Sequence, residues 1–306
     1  MTRQIILGAG PLGRTIAERL VARSDEVVVV TRSGTGVSGA HSVAMSATDP
    51  GLREVVAGAA TVFVATNPPY HRWEIEWPPI LDAVIKAASE TGTGIVLLGN
   101  LYAYPRGVRM TADVPLDPPS RKGAVRTALW DTLLQAHASG RVRATEIRAS
   151  DYVGPEAADS GAHAGRRFVG PVLAGRTAWV LGDPEAPHSW ATVSDIAATA
   201  IAAADAEAWG RPWIVPSEPP ISLNAFARDL AAAGGAPEPR VRQIPRALVR
   251  AGGLLSPMMR ELDEVRHQHT EPFISDGSET TALLAVVATP WAETIEGCSR
   301  ASRAAS

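Results

Sequence analysis

Three glycines, an arginine and a short polar turn carry the chemistry available to this chain. Gly8, Gly10 and Gly13 stand first, third and sixth in Gly8-Ala9-Gly10-Pro11-Leu12-Gly13. That spacing permits a tight turn, close approach of backbone to a pyrophosphate, and close packing of helix on strand. Asn100, Tyr102 and Tyr104 share a second segment, and Lys122 and Arg126 stand four residues apart in a third. Amide, phenol and amine groups can hydrogen-bond an oxygen that gains charge or move a proton to it. No Gly-x-Ser-x-Gly elbow is present, and no His/Cys/Asp/Glu group has metal-ligand spacing along the chain. Serine-nucleophile chemistry is therefore not indicated, and no metal is expected.

These residues need a frame. Gln4-Ile5-Ile6-Leu7 before the glycines and Val27 to Thr31 after them are apolar strand runs, with a helical stretch between. A glycine turn between two buried-type strands, within about 30 residues, is the context that makes Gly-x-Gly-x-x-Gly specific for a dinucleotide. Pro11 and Leu12 open the helix, whose free N–H groups and positive dipole end would face the phosphates. NAD-binding units place an acid about 20 residues after the glycines, whereas NADP units place an arginine nearby. The second strand ends in Thr31-Arg32-Ser33, and Asp25 and Glu26 lie at its wrong end. A guanidinium between two hydroxyls suits a phosphate dianion, so NADP(H) is expected in preference to NAD(H).

The rest of the first half repeats the pattern. Ser42 to Ser46, Thr61 to Thr66, Ile95 to Leu98 and Arg143 to Ala149 read as strands, with helices expected from Pro50 (Asp49 as cap), about Pro79 to Glu90, and Arg121 to His137 (Ser120 as cap). Alternation of this kind gives the fold class: α/β, a Rossmann-type doubly wound parallel sheet. Right-handed crossovers put the strand C-termini on one edge, so the glycine turn, Arg32, Ala65-Thr66-Asn67 with Tyr70, and Asn100 to Tyr104 should converge on one cleft. The alternation fades after Pro155. The expected division is a dinucleotide-binding domain over 1–155, with 186–208 returning to it. A smaller, interwoven substrate subdomain follows over 156–296, and a disordered tail over 297–306.

Bulk properties narrow the class. In 306 residues, 29 Lys and Arg face 32 Asp and Glu, so no basic field recruits nucleic acid or an anionic membrane. No apolar run reaches the roughly 20 residues needed to span a bilayer, and the first strand begins too early for a signal peptide. The one cysteine, Cys298, fits a reducing compartment. The expectation is a cytoplasmic protein with a small-molecule substrate; association into a homodimer stays open.

In order and spacing, the chain resembles the extended short-chain dehydrogenase/reductase superfamily, including its NAD(P)-dependent epimerase/dehydratase and NmrA-like branches. The marks are the first βαβ unit, Asn67-Pro68-Pro69, Tyr104-Pro105, Tyr152-Val153-Gly154-Pro155, His188 to Ala197 with its Asp195, and Thr289-Pro290-Trp291. The resemblance implies a nicotinamide cofactor and hydride transfer, with a tyrosine, its pKa lowered by a neighbouring lysine, moving the proton. It also places Ser46 where relatives hold an acid near adenine and Asn100 where they hold a catalytic Ser or Thr. This chain lacks the Tyr-x-x-x-Lys pair: Lys122 and Arg126 occupy the likeliest four-residue spacing. Lys122 is thus a candidate proton donor and ribose ligand, or else a solvated first-turn lysine; Tyr70, Tyr102 and Tyr104 are alternative donors, and His71 and His188 weaker ones. Tyr70, Trp73, Tyr152 and Arg166 are the expected substrate-side residues, with Trp77, Trp179 and Trp190 as further wall candidates.

Three functions follow from these residues. The first is an NADP-dependent oxidoreductase of atypical short-chain type, acting on a small carbonyl, imine or alkene. The second is an epimerase or dehydratase acting on a sugar-like substrate. The third is a non-catalytic, NmrA-like redox sensor.

Overall fold

The computed structural model describes residues 1–158, 160–255 and 257–304. β1 (Arg3–Leu7), α1 (Pro11–Ala22) and β2 (Glu26–Thr31) form the expected unit, with β1 and β2 parallel from Arg3↔Glu26 to Leu7↔Val30. β3 (His41–Ala44), α2 (Leu52–Val56), β4 (Thr61–Val64), α3 (Trp73–Thr91) and β5 (Gly94–Asn100) follow. β6 (Arg109–Met110), α4 (Arg121–Ala138), β7 (Ala144–Ala149) and β8 (Tyr152–Val153) complete the first half. The second half begins with α5 (Arg166–Leu173), β9 (Thr177–Val180), β10 (Ala191–Thr192), α6 (Val193–Asp205) and β11 (Pro212–Ile214). It ends with α7 (Leu223–Gly234), β12 (Arg240–Gln243), α8 (Arg246–Leu255), α9 (Pro257–Glu264), β13 (Ile274–Ser275), α10 (Ser278–Leu284) and α11 (Trp291–Ala304).

Seven strands pair in parallel in the order β11-β7-β5-β4-β1-β2-β3. The Val- and Ile-rich strands are buried on both faces, and each face has its own apolar layer against helices. Strand order reverses between β1 and β4, which opens a crevice at their C-terminal ends. α6 packs against α1, and β11 joins the sheet edge beside β7, so the chain's return to the sheet extends to Ile214. A separate apolar cluster, with Phe168, Trp190, Phe226, Leu230, Ile295 and Cys298, forms the core of the second unit.

Several boundaries differ from the sequence expectation. α3 begins at Trp73 and carries Pro78 and Pro79 inside it; Trp73 Nε1 donates to the Pro68 carbonyl at 2.9 Å, and Trp73 and Trp77 are buried. Their burial outweighs the hydrogen bonds that the prolines remove. Asp49 does not cap α2: its Oδ1 accepts from Gly51 N–H, and the helix opens at Leu52. Ala191 and Thr192 pair as β10, while His188 bridges singly to Ile221 and Phe273. The expected tail, 297–304, is instead helical in α11, where Cys298 and Ser299 are buried against the second core; Ala305 and Ser306 lie outside the described residues.

Asp195 ties the two units together. It sits buried in the first turn of α6 and accepts from Thr289 N–H at 2.9 Å and Thr289 Oγ1 at 2.6 Å. Charge-assisted hydrogen bonds contribute about 1.5–3 kcal/mol each. Asp195→Ala is therefore expected to lower unfolding free energy by about 3 kcal/mol, read from urea denaturation. An unchanged midpoint would show that the tie carries no stability.

Candidate functional site

The strand ends deliver most of the expected residues to one cavity of about 1560 Å³. Gly8, Gly10, Pro11, Leu12, Thr31, Arg32, Ser33, Ser46, Ala65, Thr66 and Asn67 line its nucleotide side. Tyr70, Trp73, Asn100, Tyr102 and Tyr152 line the other side, beside Ser150, Asp151, His163, Arg167, His269 and Phe273.

The three glycines divide the work. Gly8 has φ +105, and a Cβ there would meet Thr66 N at 2.8 Å; a Cβ on Gly13 would meet the Gly8 carbonyl at 2.0 Å. These two close helix on strand, and Gly13 itself does not line the cavity. A Cβ on Gly10 meets nothing within 4 Å. Gly10 also precedes α1 as an N-cap that makes no side-chain hydrogen bond. Open space before uncapped N–H groups fits a diphosphate. At the β2 end the lining is hydroxyl-rich, with Thr31, Ser33, Ser46 and Thr48 around Arg32. Asp49, the nearest acid of that loop, does not line the cavity.

At the far end, Asn100 Oδ1 accepts from Tyr102 N–H at 3.1 Å, which leaves its NH2 group as a donor to the cleft. The Tyr70 and Tyr102 hydroxyls are 2.8 Å apart, and Tyr102 stacks on Trp73. Burial pushes Tyr70 up to about 12 and Tyr102 well above the usual tyrosine range. Both phenols stay protonated at neutral pH, so they donate hydrogen bonds and do not serve as bases.

Other expected donors lie elsewhere. Tyr104 is buried away from the cavity, donating to the Thr111 carbonyl at 2.8 Å and accepting from Arg148 at 2.9 Å. Lys122 is also buried and does not line the cavity; its Nζ pairs with Glu261 and, at 3.0 Å, with Glu264, both on α9. Burial lowers its pKa, but two carboxylates fix the ammonium as an inter-element clamp. Lys122 thus lies outside the cavity lining, with its ammonium 5.5 Å from the centroid of the Tyr70 ring. Lys122→Met should leave cofactor affinity unchanged and cost less than the about 3 kcal/mol of a fully orphaned buried charge, because Arg121 still faces Glu261 and Glu264 at 4.0 and 3.5 Å; thermal unfolding with and without NADPH measures the loss. Arg126 lines the cavity with its guanidinium over the rings of Trp73 and Trp77 at 4.5 and 4.6 Å. Trp77 is core, not wall, and Trp190 is buried in the second unit. Arg166 is exposed at the start of α5, while Arg167 reaches the cavity. Trp179 lines the rim, half exposed.

The fold also gathers a group that chain spacing hid. Donor atoms of Asp151, His188 and His269 lie within 4.8 Å of one another. Asp151 Oδ2 is 3.2 Å from His188 Nε2 and 3.7 Å from His269 Nδ1. Sequence spacing gives no metal-ligating group, and folding brings these three donors together. Burial would raise the Asp151 carboxyl, but the three surrounding imidazoles hold it well below its ordinary value. Burial lowers His269 strongly and brings His163, stacked on it at 3.9 Å, down to about 4.

Solved structures share this architecture from end to end. One is a UDP-glucuronic acid 4-epimerase from Bacillus cereus, in complex with UDP-glucuronic acid and NAD (TM-score 0.80, 13% identity, 99% of this chain and 100% of that one). Another is MoeE5 in complex with UDP-glucose and NAD (TM-score 0.78, 16% identity, 99% of both chains). The chain shares the fold of these proteins. The dTDP-glucose 4,6-dehydratase from Bacillus anthracis, in complex with NAD, shares that fold too (TM-score 0.79, 10% identity, 99% of this chain and 97% of that one). Within it, residues 4–73 match a family model described as NADP oxidoreductase, coenzyme F420-dependent. No curated protein sequence matches the chain. Among the described residues, no helix is long and apolar enough to cross a membrane.

Proposed function

We propose that the chain binds a nicotinamide dinucleotide along the C-terminal edge of its sheet. On this reading it acts as an epimerase or dehydratase on a small hydroxylated substrate of sugar-like character. The observation that carries the proposal is the continuous cavity from the open space over Gly10 to the polar end at Asn100 and Asp151. Relatives of the same fold hold UDP-sugars together with NAD, which supports the substrate class. When bound, the dinucleotide supplies or takes up hydride.

The chain's residues have separable tasks. Backbone N–H groups of Gly10 and Leu12 receive the diphosphate, and Thr31, Arg32, Ser33 and Ser46 receive the adenosine end. Arg32 without an acid beside it favours the 2′-phosphate of NADP(H) over the bare ribose of NAD(H). Ala65, Thr66 and Asn67 flank the nicotinamide side. Asn100 donates a hydrogen bond to the substrate oxygen, and the protonated Tyr70–Tyr102 pair with Trp73 walls the site and excludes water.

A second reading, a net NADPH-dependent reduction, is favoured by one observation, the match over 4–73 to an NADP oxidoreductase model. Incubation with UDP-glucose and UDP-glucuronic acid separates the two. Formation of an isomer or dehydrated product with no net change in reduced nicotinamide supports the first reading. Net oxidation of NADPH against a panel of small carbonyls supports the second. Absence of any hydride exchange would contradict both and leave the sensor.

A further inference from the structure

We propose that Asp151, His188 and His269 bind a divalent transition metal of the zinc class, with one coordination position open to the cavity. This inference does not rest on the dinucleotide reading. Two imidazole nitrogens and a carboxylate oxygen are a common donor set for zinc, and three protein ligands with an open fourth position mark a reactive rather than a structural site.

The two spacings from Asp151 fit one ion, and all three donors lie within 4.8 Å of one another. Ligands about 2.0–2.1 Å from a tetrahedral centre stand roughly 3.3 Å apart. Asp151 Oδ2 lies 3.2 Å from His188 Nε2 and 3.7 Å from His269 Nδ1. Hydrogen bonding leaves the same atoms unsatisfied: Asp151 Oδ2 and His269 Nδ1 are buried and without a hydrogen-bond partner. A proton shared between Asp151 and His188 would satisfy one side of that carboxylate oxygen and leave His269 Nδ1 orphaned, at a cost of about 1–3 kcal/mol. A cation at the centre of the three satisfies all of them at once.

The ligands come from three segments, each fixed by backbone. Ala191 N–H donates to the Asp151 carbonyl at 3.1 Å, His188 N–H to Ile221 at 3.1 Å, and Asp183 N–H to the His269 carbonyl at 2.7 Å. Rings pack around the donors. His188 lies against Trp190 at 4.5 Å and Phe273 at 5.0 Å, and His163 covers His269. Such a shell holds imidazole planes in place and limits solvent. Asp151 and His269 line the cavity while His188 does not, so the open position faces the cavity, where a hydroxyl, carbonyl or carboxylate oxygen of a ligand would enter.

The test uses the full chain, stripped by chelator and titrated with Co2+ and then Zn2+. The expected result is one equivalent of Co2+ with the visible absorption of a four- or five-coordinate ion, displaced by Zn2+. Asp151→Asn and His269→Gln should each abolish that absorption, while exposed His71→Ala keeps it. If these variants fail to fold, wild-type protein still decides the matter. Zn2+ should then protect His269, which lines the cavity, but not His71, from diethyl pyrocarbonate in peptide mapping. Failure of the wild type to take up Co2+ or Zn2+ overturns the proposal. So does uptake undiminished in a folded Asp151→Asn/His269→Gln protein, or absence of protection.

Discussion

Gly10→Glu is expected to abolish dinucleotide binding while leaving the fold intact. A Cβ at this position meets no atom within 4 Å, so the substitution adds no clash in the free protein. It places a carboxylate in the space before α1 where the diphosphate would lie. Two unit charges about 4 Å apart near a protein surface repel by about 4 kcal/mol, on the order of a thousandfold in affinity. Fluorescence titration with NADPH measures the loss, and the melting temperature without cofactor checks the fold. The pairing of unchanged stability with lost affinity is the signature. Gly13→Ala should instead lower both, because its Cβ would meet the Gly8 carbonyl at 2.0 Å. Unaltered affinity in folded Gly10→Glu would move the phosphates elsewhere.

Arg148→Met should cause the largest stability loss of any single charge removal in the main sheet. Arg148 and Glu146 are both buried on β7, and Arg148 Nε donates to Glu146 at 2.6 Å while its NH1 donates to Tyr104 at 2.9 Å. Removing the guanidinium takes the hydrogen-bonded counter-charge from a buried carboxylate and leaves it only the attraction of buried Arg126, a loss of about 3 kcal/mol. The double variant Glu146→Leu/Arg148→Met removes both charges and should recover most of that loss. Chemical denaturation of wild type, both singles and the double gives the coupling. Simple addition of the two single effects would mean that the pair is not energetically linked.

Much of the frame could be read from residues because local and global preferences agree there. Strong β-branched runs and a glycine turn specify the first βαβ unit, and Ser120 accepts from Gly123 N–H as the expected N-cap of α4. The nucleotide half of the cavity follows from those elements, since strand C-termini in a parallel sheet share one edge. The reading faltered where tertiary packing overrides local signal. Trp73 and Trp77 pull α3 back across two prolines, and Cys298 and Ser299 draw the small, polar end of the chain into a helix. It also faltered where partners are far apart in sequence. Nothing near Lys122 shows that Glu261 and Glu264 will neutralise it, because α9 arrives more than a hundred residues later. Asp151, His188 and His269 likewise share no spacing pattern, and only folding places them together at the cavity's polar end.

The most direct measurement is equilibrium binding of NADPH and NADH to purified protein, followed by quenching of the tryptophans near the cavity and by calorimetry. Saturable binding of both, tighter for NADPH, with that preference lost in Arg32→Ala, is the predicted result. No affinity for either dinucleotide would contradict the placement of a cofactor in this cavity, and tighter NADH binding would contradict the role of Arg32.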